Sequence, residues 1–351
     1  MISKMKFMFF GLNLLIFSLM FATATDSKIA TREIVDMNGR KVGIPLKVTR
    51  VVGTGGAVDE WILLLGSPEK LVAISNAIKT NPWYIKAYPE IKAVPAPIGS
   101  SGVNIEELLK TKPDVAILLS GMSPMQSKIE KSGIPFVVLE RRNPEELMRG
   151  IELTGQILGT KEAKRAAEFC SYYRANIRRV LSKTASLPED RRFKVYCGSG
   201  IKPLATEGKE SIVTSWIEMA GGKNVAAENG LTGMSQAVSM ENIIAWNPDV
   251  IITSPEGKNA ILNDSSWSVI NAVKKNRIYI NPKGVYSWGV RSADEALQVL
   301  WAAKVLHPEL FLDLDMLQEV KLFHKKYYNY KMSDEDVKRM LNAEPPKEVE
   351  K

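Results

Sequence analysis

The stretch GVYSWGVRS at 284–292 places Tyr286, Trp288 and Arg291 directly after the apolar run NRIYIN. Aromatic rings beside a guanidinium suit a planar or anionic ligand, held by stacking and by charge. Arg291 is the sharpest of the three, because an unpaired Arg in a cleft calls for an anionic partner. Catalysis has less to work with. The chain holds 2 His, His307 and His324, both near the C-terminus. His307 precedes Pro308 at a helix end, where capping or packing is the ordinary role. No H-E-x-x-H, C-x-x-C, G-x-S-x-G or Walker A pattern occurs, and neither GTGG at 53–56 nor GSGIKPLATEGKE completes a G-x-G-x-x-G spacing. A reacting centre needs nucleophile, base and orienter together. The residues therefore read as a binding protein, not an enzyme.

A second feature is a repeat. VNIEELLKTKPDVAIL at Val103–Leu118 returns as VSMENIIAWNPDVIIT at Val238–Thr253. Pro113 and Pro248 stop a helix, Asp114 and Asp249 occupy the turn, and the apolar run enters a buried strand. Glu106 and Glu241 keep the same place in both copies. A negative charge in the first helical turn offsets the helix dipole. Glu107 would serve that purpose equally, yet only the first position repeats.

These residues must be positioned by elements, and the elements also repeat. TREIVDMNGRKVGIP reads as a β-hairpin turning at Asn38-Gly39. Strand, Gly turn, helix and strand follow in VTRVVGTGGAVDEWILLLGS and KLVAIS, then the first motif copy, then the strand GIPFVVLE. In the next segment Asn143 caps a helix with Pro144 at its first position, Gly159 closes it, and Thr160 caps another. That second helix carries Ala166, Phe169, Cys170, Tyr173, Ile177, Val180 and Leu181 at three- and four-residue spacing. It spans about 24 residues, or ~36 Å, long enough for a stiff spine between two lobes. FKVYCGSG, ESIVTSWIEMAGG and KNVAA then restart the pattern. ADEALQVLWAAKVLH from Ala293 reads as an amphipathic helix, SDEDVKRMLN as a short helix capped by Ser333, and AEPPKEVEK as a frayed tail. The fold class is α/β: two doubly wound, Rossmann-like lobes joined by one long α-helix. The boundaries are 25–142 for the N-terminal lobe, 143–186 for the linking helices, 187–330 for the C-terminal lobe and 331–351 for the tail. A single stiff connector permits modest rocking of the lobes.

In open α/β sheets ligands sit at the C-terminal ends of the strands. Besides the 284–292 stretch, that places Thr54, Gly55, Asn76, Trp83, Tyr84, Met122, Arg141 and Cys197 at the lip of a cleft. Composition agrees with a folded, exported chain. Apolar content of 45% and charged content of 25% in 351 residues are globular values. Lys4 and Lys6, the apolar run FMFFGLNLLIFSLMF and the small residues Ala22 and Ala24 form a secretory leader, cleaved after about Ala24. No Cys lies beside that site, which argues against a lipoprotein. The formal charge of +8 is spread along the chain without an aromatic-interleaved basic tract, which argues against nucleic acid. Cys170 and Cys197 read as separate thiols.

With these motifs in view, the chain resembles the periplasmic substrate-binding proteins of iron–siderophore and cobalamin ABC importers, the class with a single helix between its lobes. VNIEELLKTKPDVAIL, GKESIVTSWIEMAGGKNV and VSMENIIAWNPDVIIT carry the resemblance, which covers about residues 32 to 325. It implies a monomer without a resident cofactor or metal, which delivers a small ligand to a permease dimer with its ATPase. It also implies that Glu106 and Glu241 dock with Arg pockets on that permease. The cargo it implies is a metal–organic chelate, first a ferric siderophore, then nickel or cobalt chelates, then a corrinoid. Direct metal capture does not fit, since neither His maps to the cleft. The cobalamin binder's cleft Trp has no counterpart in PAPIGSSGVNIE. An exported sensor without transport is the other reading.

Overall fold

The computed structural model describes residues 30–347, and the leader lies outside them. Each lobe is built on a four-stranded, all-parallel sheet. In the N-terminal lobe the order is Leu71–Ala73, Val51–Gly53, Val115–Leu119 and Phe136–Leu139. In the C-terminal lobe it is Gly222–Asn224, Phe193–Cys197, Val250–Thr253 and Ile278–Ile280. The two orders are the same, second, first, third, fourth. Val115–Leu119 and Val250–Thr253 are buried at every residue, as strands covered by helices on both faces must be. The hairpin forms as Thr31–Val35 against Lys41–Pro45. Its Asp36 accepts hydrogen bonds from the Arg40 side chain and from the Val138 amide at 3.1 Å, which fixes it to the edge of the first sheet. Among the described residues no helix is long and apolar enough to cross a membrane.

The repeated motif is held the same way twice. Asp114 accepts from the amides of Thr49 and Arg50 at 2.7 and 2.9 Å, and Asp249 accepts from the amide of Lys194 at 3.2 Å. The same basic residues reach the carbonyls at the end of the motif helix: Arg50 donates to Thr111 at 2.6 Å and Lys194 to Trp246 at 3.1 Å. Each Asp thus clamps the start of the neighbouring strand, and each cation satisfies helix carbonyls that have no partner inside the helix. The clamp fixes the motif helices Ile105–Lys110 and Met240–Trp246, which carry Glu106 and Glu241.

The linking segment is a helical hairpin, Pro144–Leu158 followed by the 25-residue spine Thr160–Thr184. Asn143 caps the first helix, while Gly159 both closes it and precedes the spine, so Thr160 is the first helical residue and not its cap. The buried stripe also differs from the apolar one: Asn176 and Thr184 lie inside it and Leu181 is exposed. Asn176 earns its place by donating to the Ala296 carbonyl at 2.7 Å. Gly155 is where the two helices touch, since a Cβ there would lie 2.8 Å from the Glu162 carbonyl oxygen and 2.9 Å from the Ala163 Cα. In an open helix Gly→Ala stabilises by about 1 kcal/mol. Here Gly155→Ala is expected to destabilise by about 1–3 kcal/mol in urea unfolding, because backbone must part to admit the methyl. A gain in stability would contradict this packing.

Three other elements depart from their sequence reading. Val225–Glu228 is helical, so the second-lobe counterpart of KLVAI ends as a strand at Asn224. Glu295–Leu306 is not amphipathic, for its polar residues Glu295 and Gln298 are as buried as its Leu and Ala. The C-terminal segment is not frayed over its described part. Helix Asp334–Leu341, capped by Ser333, lies against the N-terminal lobe: Lys86 pairs with Asp336 at 3.0 Å, and Trp83 Nε1 donates to the Glu344 carbonyl at 3.0 Å. This is a further tie between the lobes beside the spine.

Candidate functional site

The lobes meet at the C-terminal ends of their sheets. From the first lobe comes the turn Gly53–Gly56, opening helix Gly56–Leu64. From the second comes the loop after Ile278–Ile280, whose Tyr286 ring packs against that turn at Gly56. A Cβ on Gly56 would sit 2.4 Å from Tyr286 Cε2, so only glycine admits the ring. The loop is stitched to the first lobe by Asn81, which donates to the Val285 carbonyl at 2.9 Å, and by Glu60, which accepts from the Ala293 amide at 2.9 Å.

Two guanidiniums from opposite lobes lie near enough in this joint that the charge of one bears on the other. Arg141 follows strand Phe136–Leu139 and makes one hydrogen bond, to the Ser120 carbonyl at 3.1 Å. Burial, and then the charge of Arg291, push its pKa down to about 10. It stays cationic at neutral pH, short of counter-charge. Arg291 is not the unpaired Arg that its sequence context indicated. Both of its terminal nitrogens are held by Glu207, Nη1 to Oε1 at 2.9 Å and Nη2 to Oε2 at 2.7 Å. Its Nε is buried without a partner, and its backbone sits at φ +70°, a left-handed conformation costly for a residue with a side chain. The amide of Arg291 donates to Glu295 Oε2 at 3.1 Å, which helps hold that conformation.

Beneath the loop lies a group of buried carboxyls. Tyr328 donates to Glu60 Oε1 at 2.8 Å and approaches Asp294 Oδ1 at 3.2 Å, so the two acids, one from each lobe, share one hydroxyl. Burial and the neighbouring Asp294 raise Glu60 well above the carboxylate range, and burial raises Asp294 to about 7. Burial also lifts Asp59 and Glu295 to about 8 each. An acid whose folded pKa is raised contributes fully below its unfolded pKa, near 4, and that contribution is lost as pH rises through 7–8. Asp294→Asn keeps the shape without the charge. Its free energy of unfolding in urea is expected to match the wild type near pH 4 and to exceed it above pH 7 by about 4 kcal/mol, three pKa units at 1.36 kcal/mol each. Equal stability at pH 8 would show that Asp294 is ionised at no cost.

The other sequence candidates separate. Gly55 lies in the cleft turn, half-buried beside Leu119. Thr54 is buried, donates to the Ile117 carbonyl at 2.9 Å and touches Met122 sulfur at 3.9 Å. Tyr84 is a core residue, 0% exposed, its hydroxyl donating to the Asp59 carbonyl, because helix Pro82–Ala87 turns that face inward. Trp288 is also 0% exposed, and packing takes up its ring. Trp83 borders a hollow of about 400 Å³ with Asn81, Tyr286 and Glu344, though its indole N–H is spent on the tail. Cys197 lines a second hollow of about 260 Å³ with Gly198, Trp216 and Ser254. Asn76 lies apart, in a shallow recess with Lys128. Both cysteines are free. The cleft thus gathers Gly55, Arg141, Tyr286 and Arg291. Glu207, Ser120 and Glu60 belong with them and were not singled out from sequence. Glu207 carried the faintest signal, an acid in TEGKE just before a helix cap.

Comparison with known proteins agrees with this architecture. Residues 51–284 match the family described as periplasmic binding protein. The molybdate-binding protein of Haemophilus influenzae is 28% identical over 90% of this chain and 96% of its own length. A solved Haemophilus influenzae structure of the molybdate periplasmic binding protein with molybdate bound superposes with a TM-score of 0.78 at 27% identity, covering 86% of this chain and 99% of that one. A periplasmic solute-binding protein from Veillonella parvula gives 0.76 at 27% identity, over 89% and 97%. The vitamin B12-binding protein of Yersinia pestis is 22% identical over 58% of this chain and 69% of its own. Two like-ordered parallel sheets, a single 25-residue spine and a cleft between the strand ends are thus shared features, and the chain belongs to the periplasmic binding protein family, in the single-helix-spine class that serves ABC importers.

Proposed function

We propose that this protein captures a metal oxyanion of the molybdate class in the cleft between its lobes and hands it to an ABC importer. The observation that carries this reading is that Arg141, half-buried at the joint, has only a carbonyl for a partner and feels the charge of Arg291 from the other lobe. A small anion placed beside them supplies the counter-charge that Arg141 lacks and draws the lobes together. The aromatic shelf that a large planar chelate would need is reduced to Tyr286 and the rim of Trp83, since Tyr84 and Trp288 are core residues. The full-length likeness to a molybdate-binding relative supports the same class of cargo. A ferric or nickel chelate is the second reading, favoured by the hollow of about 400 Å³ that opens beside Tyr286.

The test is a thermal-shift screen of the purified protein against molybdate, tungstate, sulfate, a ferric siderophore, a nickel–histidine chelate and cobalamin. Molybdate or tungstate is expected to raise the melting temperature by several degrees at saturating concentration. A shift with a chelate and none with the oxyanions would replace this reading by the second. The exposed Glu106 and Glu241 are proposed as the two contacts with the permease. Glu107 beside Glu106 is engaged by Lys110 at 2.6 Å, whereas Glu106 has no ion-pair partner among the described residues.

A further inference from the structure

We infer that Glu207 determines the charge of the anion the cleft accepts, by occupying the Arg291 fork as a stand-in for ligand oxygens. This rests on the oxyanion reading above. The Glu207 carboxylate matches the guanidinium in the bidentate geometry that a tetrahedral oxyanion would use. With Glu207 in place, the trio Arg141, Arg291 and Glu207 carries a single net positive charge, although it holds two guanidiniums. Glu295, the other acid touching Arg291, contributes little further negative charge near neutral pH, since burial keeps it largely protonated.

Glu207 is built into its position. Its backbone carbonyl accepts from Asn224 Nδ2 at 2.7 Å. The next residue, Gly208, is pinned from both sides: its amide donates to the Gly233 carbonyl at 2.9 Å, and its carbonyl accepts from Ser211 at 2.8 Å and Thr214 at 2.6 Å. A Cβ on Gly208 would collide with the Leu231 carbonyl. The acid is therefore presented to Arg291 by a rigid turn, not by a mobile surface loop. A purely structural ion pair gains little over apolar packing. It would also not explain why Arg291 is kept in a left-handed backbone conformation where its charge bears on a second guanidinium.

An interaction energy between Glu207 and the ligand scales with ligand charge. The experiment is calorimetric titration of wild type, Glu207→Gln and Glu207→Asp with molybdate, a dianion, and perrhenate, a monoanion of the same tetrahedral shape. Glu207→Gln should tighten both, with the logarithm of the gain for molybdate about twice that for perrhenate, and Glu207→Asp should keep the wild-type ratio. Equal gains for the two anions, or a loss for both, would overturn the inference while leaving the oxyanion reading intact. Binding of neither anion by any variant would overturn both. Glu207→Ala replaces Glu207→Gln if the latter fails to fold, and failure of both would assign Glu207 to the fold alone.

Discussion

Arg141→Gln is expected to weaken oxyanion binding by two to three orders of magnitude while leaving the ligand-free protein as stable as before, or more so. Both signs come from one fact. Partial burial, and then the charge of Arg291, depress the Arg141 pKa to about 10, below the ordinary range for arginine. A cation with a depressed folded pKa costs stability at every pH where it is charged, so removing it does not harm the empty protein. Once an anion is bound, the same buried charge becomes one half of a desolvated ion pair. Truncating one half of such a pair costs about 3–5 kcal/mol, which at 1.4 kcal/mol per factor of ten is about two to three and a half orders of magnitude, and the partial exposure of Arg141 keeps the loss in the lower part of that range. The loss should fall on the dissociation rate more than on association. Calorimetric titration together with thermal melting of the ligand-free variant measures both. A lower melting temperature with unchanged affinity would make Arg141 a structural residue and remove the support for an anionic cargo.

Local rules carried the fold. The Pro-Asp-Val turns, the Gly turns and the apolar strand runs are decided within a few residues, and two parallel sheets follow from them. The spine was equally legible, because a 25-residue amphipathic run has few alternatives. What the sequence hid were polar contacts between distant segments. Arg291 looks unpaired until Glu207, 84 positions away, is brought to it. Glu295 and Gln298 mark a polar face on a helical wheel, yet both are buried. Glu295 Oε2 accepts from the Arg291 amide and Gln298 donates to Asn281 Oδ1 at 2.8 Å, while the Oε1 of each is left without a protein partner. Tyr84 sits in a segment that could have lined the cleft, and the Asn81 cap turns it into the core. Tail residue Glu344 binds through its carbonyl, a group every residue has, so nothing in its side chain announces the contact. Periodicity reports which face is apolar. It does not report which buried polar atoms find partners, and in this cleft those partners are the chemistry.

The second large effect is expected in transport. Glu106→Gln with Glu241→Gln should reduce cargo uptake to background in cells carrying the importer, while the purified variant binds cargo within twofold of wild type. The argument begins with the clamps. Asp114 and Asp249 bind the amides at the starts of the neighbouring strands, and Arg50 and Lys194 tie down the ends of the motif helices. Each lobe therefore presents one exposed carboxylate on a short helix fixed at both ends, since Asn104 and Ser239 cap the other termini. Glu241 is held ionised below the usual carboxylate range by the Ser239 hydroxyl. A rigid pair of equivalent charges, one per lobe, suits a partner with two equivalent cationic pockets, and Arg–carboxylate contacts at an exposed rim are strong enough to orient docking yet weak enough to release. Because the pair acts together, each single variant should retain part of the uptake, and the double should lose more than the product of the singles. Glu107→Gln is the control: the neighbouring acid is engaged by Lys110, has no counterpart in the second lobe, and should leave uptake unchanged. Normal uptake by the double variant would place the permease contact elsewhere. The repeated glutamate would then be a helix-dipole residue and nothing more.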